Sequence, residues 1–381
     1  MKACYYTTAW RGGEGWYAFA LAQALAEAGV DLCFIAAPVQ PADREANHPN
    51  IDRRRLLAGT GGRGSTAYRA IMNLYRVVHS TAVLLWARLT ARTFLVTHPA
   101  WLLVTFIQFC LLRLVGARIV YIVHDAKPHA WSFPDRFRRL EEWLLLQTYR
   151  MSAHLIVLTK TAKNDLINHF NIAPDKIDVV PHGAFPSGDP GPIPGSGKLL
   201  VFGMLRRNKR IKETIEAVLS LGDDLPDLKL IVAGSPHADD RVYWDECAAL
   251  VASRPERFIT EIGFVEEARV GELFAMSDAI LLPYEEFSSQ SGVAVLASLA
   301  RRPIMSTGVG GIGELIEHGL ACQRVSIPVT AHSIADAFRQ FYARPMDEWR
   351  NHADAGSAAL GHYLSWSRIA EEIKQVAAGA G

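Results

Sequence analysis

The stretch Val201-Phe-Gly-Met-Leu-Arg-Arg-Asn-Lys-Arg210 decides the fold. A short apolar strand, Leu199 to Phe202, runs into Gly203 and then into a basic loop carrying Arg206, Arg207 and Lys209. A helix is predicted next, over about Lys212 to Leu221. A strand end that presents a glycine and paired cations beside a helix suits a diphosphate, because helix-start N–H groups and guanidinium groups both favour phosphate oxygens. About eighty residues later, Phe287-Ser-Ser-Gln-Ser-Gly-Val293 repeats the arrangement. There a strand, Ala279 to Pro283, leads through a Ser/Gln/Gly turn into an apolar helix from about Gly292. Ser289, Ser291 and the first-turn N–H groups offer a second anion contact. Two such ends in one half of a chain point to a nucleotide held at the carboxyl edge of a parallel sheet.

Working outward, the same strand–helix alternation fills both halves. Strands are read at Ala3–Thr7, Val30–Ala36, Ile119–Val123, Leu155–Leu158 and Val179–Val180, then at Leu199–Phe202, Leu228–Ala233, Ile259–Ile262, Ala279–Leu282 and Ile304–Ser306. Gly12, Gly13 and Gly15 are read as a loop before a helix over Ala18 to Ala28. Pro186 to Gly197, rich in Pro, Gly and Ser and without periodicity, reads as a linker. At 381 residues the chain exceeds one ordinary core. The expected layout is a domain over 1–185, a linker over 186–197, a domain over 198–358 and a terminal helical segment over 359–381. The fold class is α/β, with two Rossmann-like doubly wound domains facing a cleft.

Composition is that of a globular protein, 50% hydrophobic and 21% charged, and the net charge of +1 argues against a nucleic-acid binder. Five cysteines lie scattered at 4, 33, 110, 247 and 322 with no zinc spacing, as expected of reduced thiols in the cytoplasm. The amino end enters a strand directly, so no signal peptide is expected. No Asp-x-Asp metal motif follows a strand, and no metal is expected.

These segments resemble the nucleotide-sugar half of the GT-B glycosyltransferases, family 4 in particular. The loop Gly203, Arg206, Lys209 matches that family's Gly-x-x-Arg-x-x-Lys-Gly, with Arg210 replacing the last glycine. The likeness extends to Pro181-His182-Gly183, Gly234, Phe264-Val265, Gln290-Ser291-Gly292-Val293 and Gly310-Gly311. It implies that Arg206 and Lys209 hold the donor diphosphate, and that Gly12 and Gly13 let a substrate approach. It places His124 toward the transferred sugar, with Asp125 orienting it. Gly183 is expected to supply a left-handed turn. The family's pair of glutamates is missing, since Ser289 and Ala297 stand at those positions. Glu285 and Glu286, just upstream, are then the candidate acids for the sugar or ribose, or else a solvated turn. The terminal helix is expected to cross back onto the first domain. Donor transfer without a metal and with retention of configuration is implied, with arginine and lysine doing the work of a divalent ion.

One further pattern concerns the acceptor. From Arg53 to Arg118 there is no Asp or Glu and the next acid is Asp125, while ten arginines alternate with aromatic residues such as Tyr68, Tyr75, Trp86 and Trp101. This is either a solvated basic face over buried helices or a surface for anionic lipid. Thr93 to Leu112 is uncharged and long enough to span a bilayer. His98 and Pro99 interrupt it, so a strand ending at His98 and a helix to Leu114 are predicted instead. The expectation is an exopolysaccharide glycosyltransferase, peripheral on the inner face of the cell membrane. It would pass sugar from a UDP- or GDP-sugar to a glycan on a polyprenyl diphosphate. A non-catalytic subunit on the same fold, an inverting glycosyltransferase and a nucleotide-sugar epimerase are the alternatives.

Overall fold

The computed structural model describes residues 1–10, 12–38, 45–57, 65–99, 101–127, 134–184, 190–222, 224–287 and 289–379. These fall into two compact units, Met1–Gly183 with Ser365–Gly381, and Ala184–Leu364.

In the first unit the strands are β1 (Lys2–Thr7), β2 (Asp31–Ala36), β3 (Ile51–Arg55), β4 (Thr93–Thr97), β5 (Arg118–Val123), β6 (His154–Val157) and β7 (Ile177–Val179). They form one parallel sheet in the order β3-β2-β1-β4-β5-β6-β7. Its helices are α1 (Gly12–Glu27), α2 (Thr66–Ala87), α3 (Leu102–Leu114), α4 (Arg138–Met151) and α5 (Lys160–Asn168). In the second unit, β8 (Lys198–Phe202), β9 (Lys229–Gly234), β10 (Phe258–Ile262), β11 (Ala279–Leu282), β12 (Ile304–Ser306) and β13 (Cys322–Arg324) pair in parallel in the order β10-β9-β8-β11-β12-β13. Helices α6 (Ile211–Ser220), α7 (Arg241–Ser253), α8 (Glu267–Ala275), α9 (Gly292–Leu299), α10 (Gly311–Glu317), α11 (Ala331–Ala343) and α12 (Met346–Tyr363) belong to this unit. Helix α13 (Trp366–Gly379) returns to the first.

Strands such as Ala279-Ile-Leu-Leu282 are buried along their whole length, because helices cover both faces of a parallel sheet. In both sheets the strand order reverses direction beside the first strand, between β1 and β4 and between β8 and β11. Ligands of such sheets collect outside the carboxyl ends at that point, where neighbouring loops diverge and leave room.

Several expectations need correction. Strand β3, Ile51-Asp-Arg-Arg-Arg55, carries too much charge to be read as a strand. It survives as an edge, with the Arg53 guanidinium 4.7 Å from the Phe19 ring centre and 4.4 Å from that of Phe34. The three glycines read as a loop lie inside the first turn of α1, where N–H groups are unpaired in any case and glycine costs little. The linker is, over 190–197, part of the second unit. Arg302, 1% exposed, donates to the carbonyls of Gly191 (3.0 Å) and Pro192 (3.3 Å), and Asp278 accepts from the N–H groups of Ser196 (2.8 Å) and Gly197 (2.7 Å). The terminal helix begins at Trp366 rather than 359; residues 359–363 finish α12 in the second unit. Ile369, Ile373 and Ala377 of α13 are buried in the core that α1 shares. Thr93 to Leu114 divides into β4 and α3, and no helix among the described residues is long and apolar enough to cross a membrane.

Candidate functional site

In the second unit, the carboxyl ends of β8 to β12 gather most of the residues singled out in the sequence. Gly203 leaves β8 with φ +95°, and its N–H donates to Ala233 (3.0 Å). A Cβ on Gly234 would fall 1.9 Å from the Gly203 carbonyl, so this approach needs glycine at 234, and the positive φ needs it at 203. The chain then turns through a 3-10 segment, Arg207–Lys209, and Arg210 takes a left-handed conformation (φ 52°) to start α6. That turn drives Lys209 inward. It is 8% exposed, and its ammonium donates to the Phe202 carbonyl. Burial, then the charge of Arg206, pulls Lys209 down from 10.5 to about 8. The Arg206 Nε is buried without a hydrogen-bond partner among the described residues. Arg207 stays exposed, over the Tyr243 ring.

The start of α9 converges on the same place. A Cβ on Gly203 would sit 3.1 Å from Lys209 Nζ and 3.7 Å from Val293 Cγ2. Ser291 caps α9, its hydroxyl accepting from Ala294 N–H (3.2 Å). Ser289 and Ser291 are both buried, while Gln290 and Gly292 are half-buried. Two neighbouring cations, one with a buried donor that has no partner among the described residues, thus lie near the start of α9, where unpaired N–H groups and the helix dipole favour negative charge. At the end of β10, Phe264 is 83% exposed and Val265 half-buried.

Glu285 departs from the expected role. One carboxylate oxygen accepts from Val329 N–H (2.6 Å) and the other pairs with Arg210, so Glu285 braces the turn that positions Lys209. Glu286 is exposed. Ala297, at the position of the family's second glutamate, is fully buried against the core, and no carboxylate fits there uncharged or charged without loss.

In the first unit the candidate His124 lies in a cluster of histidines. His124 Nε2 lies 3.0 Å from Thr97 Oγ1, which lies 3.2 Å from His98 Nδ1. The His98 and His124 rings are 3.9 Å apart. Tyr17 of α1 meets His124 edge-on at 4.6 Å and His182 at 4.7 Å. Burial pulls His98 down to about 4, His182 to about 4 and His124 well below its usual 6.5, the neighbouring imidazoles adding to the effect at His98 and His124. The rings are therefore neutral near pH 7, each able to donate one hydrogen bond and accept another. Asp125 is half-buried beside them. Gly12 and Gly13 open α1 at the surface, where a Cβ would meet nothing.

Sequence reading missed His98, Thr97 and Tyr17 as site residues. The signal was there: His98 follows β4 as His124 follows β5, and the two strands are neighbours. Gly183 was read for the wrong reason. Its φ is not positive; instead a Cβ would fall 2.3 Å from the Trp366 indole, so the glycine admits α13. His129, the next histidine after His124 and a candidate of the same kind, lies outside the described residues.

Residues 11–186 match the family model Glycosyltransferase Family 4, and residues 196–344 match Glycosyl transferases group 1. The chain belongs to the GT-B glycosyltransferases. A D-inositol 3-phosphate glycosyltransferase of Pseudarthrobacter chlorophenolicus is 28% identical over 58% of this chain and 54% of its own length, so the chain spans about half of that relative. A glycogen synthase of Mycobacterium tuberculosis is 24% identical over 96% of this chain and 90% of its own. Among solved structures, Anabaena HepE in complex with UDP superposes over all of both chains with a TM-score of 0.73 at 13% identity, a likeness of fold. Among the described residues no cluster of His, Cys, Asp and Glu is built to hold a metal ion.

Proposed function

We propose that the chain transfers a sugar from a UDP- or GDP-sugar to a lipid-linked glycan acceptor at the inner face of the cell membrane, in polysaccharide or glycoconjugate assembly. The observation that carries the donor half is the Arg206–Lys209 loop, a buried ammonium beside a half-buried guanidinium whose Nε has no partner among the described residues. During transfer the departing diphosphate gains negative charge, and cations fixed in advance lower that barrier. Arg206 and Lys209 take the diphosphate, and the N–H groups around Ser291, Gly292 and Val293 add to it. Gly203 and Gly234 leave it room, and Phe264 and Val265 face the base. His124 and Asp125 bind hydroxyls of the transferred sugar. HepE, solved with UDP-glucose, supports the donor class. These cations make a divalent ion unnecessary, and a chelator is expected to leave activity unchanged.

The acceptor half rests on the first unit. On α2, Tyr68, Ile71, Tyr75 and Val78 are exposed at helical spacing, and Trp101 and Ile107 are exposed at α3. With the acid-free arginine span this suits anionic lipid. Front-face transfer with retention is what the resemblance implies, and inversion is the alternative; the anomeric configuration of the product, read by NMR, decides between them.

The first experiment is a thermal-shift panel with UDP, GDP, ADP and their sugar conjugates, on the native chain and on Arg206→Ala/Lys209→Ala. Ligand at a hundred times its dissociation constant stabilises by about 2.7 kcal/mol. One base should raise the midpoint in the native chain alone. No shift with any nucleotide would favour a second reading, a non-catalytic GT-B subunit, for which the replacement of the glutamate pair by Ser289 and Ala297 is the motivating observation.

A further inference from the structure

A cavity of about 380 Å³ opens in the first unit at the carboxyl ends of β1 to β3, under α2. That volume lies in the range of small-ligand sites, about 300–1,000 Å³. Tyr6 and Leu56 form part of its floor, Asn73, Arg76 and Ser80 of α2 one wall, and Trp101 the rim. Its polar groups are held in place. Arg76 Nε donates to the Leu57 carbonyl (3.2 Å) and Nη1 to Asn73 Oδ1 (3.3 Å), while Nη2 has no partner among the described residues. Tyr6 donates to Gln108 (3.3 Å), whose amide donates to Ser80 Oγ (3.1 Å). Among the described residues that line it, Arg76 brings a full positive charge and none is an acid.

Asn73, Arg76 and Ser80 occupy one face of α2, and the exposed Tyr68, Ile71, Tyr75 and Val78 the opposite face. A helix with an apolar outer face and an arginine-bearing inner face over a cavity places that cavity next to whatever surface the helix rests on. We propose that this pocket takes the phosphate end of the lipid-linked acceptor while the outer face of α2 lies on the bilayer that carries it. Arg76 and Asn73 bind the phosphate oxygens, and Trp101, 67% exposed at the rim, covers the adjoining apolar or sugar group. This rests on the acceptor reading above and names its site; the donor loop is independent of it.

The test is calorimetric titration of the full chain with farnesyl diphosphate below its micelle concentration, with farnesol and inorganic diphosphate as separate arms. Saturable binding is expected, weakened tenfold or more by Arg76→Gln and by Asn73→Asp. It should persist in Arg206→Ala/Lys209→Ala. Asn73→Asp is nearly isosteric, and circular dichroism checks that both variants fold. Unchanged affinity in both pocket variants, or no binding by the native chain, overturns the proposal. Loss confined to the Arg206/Lys209 variant places the probe at the donor loop and also overturns it. Equal binding of farnesol removes the phosphate, and equal binding of inorganic diphosphate removes the lipid. If UDP fails to bind while farnesyl diphosphate binds through Arg76, the donor reading falls and the pocket stands.

Discussion

Replacing Lys209 by methionine separates a lysine kept for packing from one kept for an anion. The move from 10.5 to about 8 means that keeping this ammonium charged costs about 3 kcal/mol at neutral pH. Methionine fills similar space without that cost, but leaves the Phe202 carbonyl without its donor, a loss of about 1–3 kcal/mol. Lys209→Met should therefore be as stable as the native chain without ligand, or more stable by about 1–2 kcal/mol. The pH dependence follows. Between about 8 and 10.5 the unfolded chain holds a proton that the folded chain has released, so native stability rises with pH across that window, and the variant lacks the rise. A bound diphosphate restores the ammonium. At pH 8.5 the free protein carries that proton in only about a quarter of molecules, so UDP binding should take up about three-quarters of a proton, and almost none at pH 6.5. Titration calorimetry in buffers of differing ionisation enthalpy reads this directly, and at pH 8.5 the nucleotide phosphate is already fully ionised. Equal proton uptake at both pH values, or the same uptake by Lys209→Met, would refute the reasoning.

Three further outcomes are expected. Ala297→Glu, which restores a family glutamate, should destabilise by about 3 kcal/mol or more because the position is fully buried; product assays should show no gain in transfer. Arg302→Met should lower the urea midpoint, costing about 3 kcal/mol, because it strips donors from the 190–192 carbonyls; limited proteolysis should then cut near that segment while UDP still binds. His98 and His182, at about 4 in the fold against 6.5 ordinarily, bind fewer protons folded than unfolded, so stability should fall as pH drops from about 6.5 to about 4, by up to about 3 kcal/mol for each. A urea midpoint that stays level from pH 7 to 4.5, or an unaltered slope in His98→Phe, would contradict the cluster as described.

What the sequence determined by itself was the kind of architecture and the glycine–arginine–lysine loop that follows β8. Parallel strands buried on both faces must be written as short continuous apolar runs, and a strand-to-phosphate loop needs its glycine and cations within a few residues, so Leu199 to Lys209 is legible as a line of text. The resemblance to GT-B glycosyltransferases rests on such local segments. What the line of text did not settle was decided by contacts between residues far apart in it. Strand β3 exists because Arg53 finds the rings of Phe19 and Phe34; the Pro-Gly segment is fixed by Arg302 and Asp278, more than eighty residues away. Glu285 reads as a free acid until Arg210 and Val329 are seen to hold it. His98 reads as a break in an apolar stretch until β4 pairs with β5 and sets it against His124. Gly183 reads as a turn until Trp366 occupies the space of its missing side chain. Local pattern specifies a strand or a loop through backbone preference and periodicity, whereas burial, pairing and proton affinity depend on neighbours that only the folded chain supplies.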